Sequence, residues 1–178
     1  MDRENSTGKG DNNSYPVGNA GLILFHPFLP TYFSRNGLLE DGVFKSEASR
    51  RRAVLLLQYL AAGNTTFAGE ELVLNQLLCG MQPGESLPAS FSITENEIAV
   101  SRELLQVVIS RWDKLKNSSV ESLQQTFIMR EGVLAFKGDG TNLTVEQKGY
   151  DVLLQTLPWA WGTVKTAWMG HTLTVDWI

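Results

Sequence analysis

The sequence predicts an α+β fold: a helical layer of four to five helices followed by a small C-terminal antiparallel β-sheet of about four strands. Three observations predict it. From Ala20 to about Phe127, apolar residues recur at helical spacing between capping residues and glycines. After Gly132 the period shortens to two. A chain of 178 residues, 43% of them hydrophobic, is of the size that closes one core, so residues 18–178 read as a single compact domain.

The elements follow in order. Residues 1–17, "MDRENSTGKGDNNSYPV", show no apolar periodicity and read as a disordered tail or linker end, unable to bury enough surface to offset the entropy of ordering. Core-forming sequence then starts at Asn19, a good N-cap for "AGLILF". Pro27 interrupts that run and Pro30 opens a second start ending at Gly37, which predicts a kinked or broken helix. Ser46 caps the next helix, with Ala53, Leu56, Leu57, Leu60 and Ala61 on one stripe and Gly63 at its end. Glu70 and Glu71 open another that Gly80 closes. The longest begins at a capping box of Thr94 and Glu97 and turns Ile98, Leu105, Val108, Ile109, Trp112 and Leu115 inward. Ser118 and Glu121 form a capping box for a short helix carrying Val120, Leu123 and Phe127.

The strands start with "GVLAFKG" and "NLTVEQKG", which flank Asp139-Gly140, a strong hairpin signal. A turn or two of helix over "YDVLLQTLP" leads to "TVKTAW" and "HTLTVDWI", which alternate about Met169-Gly170 and place Leu173, Val175 and Trp177 on one face.

Composition excludes several functions. A net charge of −4 gives no basic field for nucleic acid or anionic lipid. The one basic run, Arg50 to Arg52, reads as a solvated helix face. The apolar stretch from Ala20 to Phe33 contains two prolines and is too short for a membrane span, which needs ~20 apolar residues. It also lies too far from the start, with no small-residue cleavage site, to be a signal peptide. The single cysteine, Cys79, sits in an apolar run and reads as a small buried thiol. His26 and His171 have no carboxylate or cysteine at metal-ligand spacing, and His26 reads as a packed histidine bonded to backbone. The residues offer no catalytic, metal or cofactor site. What stands out is tryptophan: Trp159, Trp161, Trp168 and Trp177 crowd the C-terminal end, and the first three are candidate interface residues.

"GNAGLILFHPFLPTYFSRNGLLEDGVF", "RRRAVLLLQYLAAG", "EELVLNQLLCGM", "LLQVVISRWDKLKNSSVESLQQTFIMREG" and "DVLLQTLPWAWGTVKTAWMGHTLTVDWI" together resemble the contractile injection system tape measure protein family. The blocks run in order from about Asn19 to the last residue. The resemblance implies a bacterial phage-tail-like particle in which such a protein sets the length of the inner tube, and it brings no catalytic residues. Even fully helical, 178 residues would span only ~270 Å, and the pattern is that of a compact domain. The sequence thus resembles the C-terminal module of such a protein, or a stand-alone copy or fragment of it; the length-determining part would lie upstream, and residues 1–17 would be the join. The implied partners are spike, baseplate or inner tube proteins, with a homo-oligomer matching tube symmetry. Assembly is expected in the cytoplasm, and the final place is inside a particle that can be released. A carbohydrate- or receptor-binding module and a cell-wall hydrolase are the alternatives.

Overall fold

The computed structural model describes residues 13–67, 72–138 and 140–178. Ala20–Phe28 winds as a 3-10 helix and α1 (Leu29–Arg35) follows at once, the break that Pro27 and Pro30 demand. Gly21 makes this packing possible, because a Cβ there would lie 1.9 Å from the carbonyl oxygen of Phe127. Helix α2 (Glu47–Ala62) starts where the Ser46 hydroxyl accepts from the Ser49 N–H at 3.1 Å and ends at Gly63. Its expected stripe is buried, widened by Val54, Leu55 and Gln58. Helix α3 spans Val73–Leu78; the expected start at Glu70 and Glu71 lies outside the described residues.

Helix α4 (Glu95–Arg111) carries the expected capping box, with Thr94 and Glu97 each accepting the other's backbone N–H. Its buried face runs through Glu97, Ser101, Leu104, Leu105 and Val108. Ile98, expected inward, is 38% exposed, because Glu97 turns in to meet Arg52 and the next residue lies about 100° round the helix. Trp112 and Leu115 are buried as expected, but past the helix end, on a 3-10 turn over Asp113–Leu115. Helix α5 (Val120–Leu123) is capped by Ser119, one residue later than expected, and runs on into a π-turn over Gln124–Ile128.

The sheet departs from expectation in strand number, direction and chain order. Its strands are β1 (Asn13–Val17), β4 (Gly132–Lys137), β5 (Gly140–Val145), β6 (Thr163–Val164) and β7 (Leu173–Asp176). They lie in the order β1-β4-β5-β7-β6, and a separate hairpin joins β2 (Leu39–Glu40) to β3 (Val43–Phe44). Among the described residues the main sheet has five strands, and helices do not simply precede strands. β1 opens the described chain, so residues 13–17 of the expected disordered tail are an edge strand paired antiparallel to β4. The sheet is also mixed: β5 and β7 run parallel, since the 3-10 helix Gly149–Thr156 and β6 intervene and carry the chain across. The expected hairpins exist as β4-β5 and β6-β7, although Asp139 lies outside the described residues.

Val17, Leu134, Leu143, Val145, Leu173 and Val175 on the inner face are buried and join the helices in one hydrophobic core. Asn19 stands at the N-cap of the 3-10 helix as expected, but its side chain makes no capping bond: it is buried, and its amide donates to Gln58 Oε1 at 2.8 Å and Asn75 Oδ1 at 2.7 Å. The Arg50–Arg52 run is not a wholly solvated face either. Arg50 donates to the carbonyls of Cys79 and Gly80 and rests on the Phe44 ring, while Arg52 pairs with Glu97 and Ser92 O, leaving Arg51 exposed.

A second ion pair, Arg130 with Asp151, is almost fully enclosed, at 2% and 1% exposure. Arg130 also donates to Thr126 O at 2.9 Å and Glu146 O at 2.8 Å. Asp151 Oδ2 accepts from the Lys148 N–H at 2.8 Å and from Trp177 Nε1 at 3.0 Å.

Trp177 is fully buried and lies against Arg130, so we expect Trp177→Ala to lose ~3–5 kcal/mol of stability. Trp177→Phe, which removes chiefly the hydrogen bond to Asp151, should lose ~1–3 kcal/mol. Urea unfolding measures both; wild-type midpoints would place the indole outside the core.

For Glu97, burial raises the carboxyl pKa, but hydrogen bonds from Arg52 and Thr94 outweigh it and hold the group below the usual carboxylate range. Its contribution is thus complete above the unfolded value of about 4.3 and fades as pH falls through the lower folded value. The difference in urea midpoint between wild type and Glu97→Gln should be constant near neutrality and shrink in acid below that value. A difference that grows in acid would contradict it.

Candidate functional site

A groove of about 850 Å³ opens between α1 and α4. Val100, Leu104 and Val107 recur along one side of α4 and give the groove an apolar wall. The opposite wall is Pro27, Phe28 and Thr31 at the turn from the 3-10 helix into α1. Pro158 and Trp159 close one end. Charges rim it: Arg35 pairs with Glu103 at 2.7 Å, and the Arg111 guanidinium lies 5.5 Å from the centre of the Phe28 ring.

The closing segment is fastened from both sides. His26 Nε2 donates to Ala160 O at 2.7 Å, and Trp159 Nε1 donates to Leu24 O at 2.9 Å. His26 is therefore bonded to backbone as its sequence context suggests. Trp159 meets Phe28 edge to face, ring centres 5.0 Å apart. Behind it, Trp112 Nε1 donates to Thr156 Oγ1 at 2.8 Å, tying the end of α4 to the 3-10 helix Gly149–Thr156.

The three candidate interface tryptophans are not brought together. Trp159 borders the groove; Trp161 packs edge to face on Trp177, 5.9 Å between centres; Trp168 packs at a tilt against Phe44 at 4.9 Å and Phe33 at 5.5 Å. All three are half-buried against the core. Each indole N–H is given to a backbone carbonyl, of Leu24, Leu154 and Leu78 respectively. Gly80 lets the Trp168 loop approach, since a Cβ there would lie 2.2 Å from Trp168 O.

Sequence reasoning missed the α4 wall. Its signal was present: apolar residues come in adjacent pairs, Leu104-Leu105 and Val107-Val108, so the helix carries a second apolar flank beside its inward stripe. Cys79 is buried as expected, and burial pushes its thiol pKa up. His171 is exposed and does not line the groove. Among the described residues no helix is long and apolar enough to cross a membrane.

No curated protein and no solved structure matches the chain. One family model does, over residues 2–177, and its description is contractile injection system tape measure protein.

Proposed function

We propose, from the premise that the chain belongs to the contractile injection system tape measure protein family, that this domain anchors a tape measure to the growing particle. The observation that carries this reading is the family match across the whole folded domain. The family is structural rather than enzymatic, and particle components are its implied partners. A fold whose longest helix among the described residues, α4, has 17 residues and spans ~26 Å offers little reach as a ruler and a large fixed surface for docking.

The partner is a spike, baseplate or inner tube protein, and the groove edged by Trp159 is the contact surface. Its apolar walls offer area to an incoming side chain, and its charged rim orients the approach. Trp161 and Trp168 would add to the contact only through their outer edges. Several copies would meet the tube with matching symmetry, assembled in the cytoplasm and retained in the particle. A carbohydrate platform has less support, since Trp159, Trp161 and Trp168 are each half-buried with the indole N–H already bonded to backbone.

The test is copurification from cells expressing the whole gene cluster. The domain should bring down spike, baseplate or tube proteins, and Val107→Glu, in the half-buried groove wall, should cut recovery about tenfold or more while the melting temperature holds. Deleting the domain should abolish assembly or leave tubes without a defined length. Particles of normal length and number from the deletion strain would overturn the proposal.

A further inference from the structure

We infer that Pro16 guards the β1 edge of the five-stranded sheet, which is open among the described residues, and keeps β1 from adding a strand of a second copy of this chain. The register carries it. In an antiparallel pair, residues exchange both backbone bonds only at alternate positions. Glu146 N–H donates to Glu131 O at 2.8 Å, and continuing that register along the hairpin makes Val133↔Thr144, Ala135↔Asn142 and Lys137↔Gly140 the bonded pairs. The intervening residues of β4, namely Gly132, Leu134 and Phe136, thus aim their N–H and C=O groups at β1. Their partners there are Val17, Tyr15 and Asn13.

It follows that Ser14 and Pro16 are the β1 residues whose backbone groups point away from the sheet. Proline has no N–H, so over Asn13–Val17 this edge offers a newcomer one donor, that of Ser14, where a ladder needs donors at successive alternate residues. Without the proline, β1 would be a ready template. It lies at the end of the sheet order, and it carries Tyr15 and Val17, both good strand formers. The opposite edge is β6, only two residues long and followed by the exposed Lys165, so it too offers little to pair with.

The experiment is mass measurement by light scattering on the full chain over a wide concentration range. Pro16→Thr restores the donor and should raise the weight-average mass at least twofold over wild type at high concentration. Pro16→Ala, which restores the same N–H with a smaller side chain, serves if the threonine variant does not fold. Ser14→Pro combined with Pro16→Thr removes the other outward donor and should return the mass to the wild-type value. A folded Pro16→Thr or Pro16→Ala protein with wild-type mass would overturn the inference. So would association that persists in the double variant, because it would then not run through this edge.

Discussion

The buried pair of Arg130 and Asp151 is the interaction on which the remaining architecture depends. Taking two charges out of water costs several kcal/mol each unless every remaining lone pair and proton is satisfied. Here the satisfying groups come from separate parts of the chain: Thr126 in the π-turn, Glu146 at the end of β5, Lys148 at the start of the 3-10 helix, and Trp177 after β7. The rings of Tyr150 and Trp177 lie 5.1 and 5.5 Å from the guanidinium carbon. The pair therefore fixes where the helical layer, the hairpin and the C-terminal strand meet. Arg130 adds a backbone tie, accepting the Ala20 N–H at 2.9 Å where the first core segment begins.

From that node the chain leads to the groove. Asp151 anchors the 3-10 helix Gly149–Thr156, which receives the Trp112 indole from the end of α4. The segment that follows carries Trp159 and Ala160 to their bonds with Leu24 and His26. The segment that carries Trp159 to the groove is thus held by hydrogen bonds reaching across the sequence, not by its own local preference. A surface held in this way suits docking, because ordering a loose one would consume binding energy at the moment of contact.

The helices were legible in the sequence where a cap and a period agreed, as at Ser46 with α2 and at Thr94 and Glu97 with α4. Misreadings arose where tertiary partners override local pattern. "NSYPV" looks like tail because two apolar residues are too few to show a period, and only pairing with β4 makes it a strand. The parallel β5-β7 pairing is invisible to local signals, since it depends on the path between them. Asn19 and Arg52 have the chemistry of a cap and of a surface charge, yet each is claimed by a residue far along the chain. Arg130 and Asp151 lie 21 positions apart, and no spacing rule joins them. For the groove, Trp159 was legible as a residue type, while the α4 flank that faces it could be assigned only once α1 was placed beside it.

If the fold is organised about the buried pair, the most direct measurement is urea unfolding of Arg130→Met and Asp151→Leu, singly and together. Each single variant leaves a buried charge without its partner and should lose ~3–5 kcal/mol. The double variant should lose clearly less than the sum of the two, because neither charge then remains to be orphaned. Single variants within ~0.5 kcal/mol of wild type, or losses that simply add, would contradict the account.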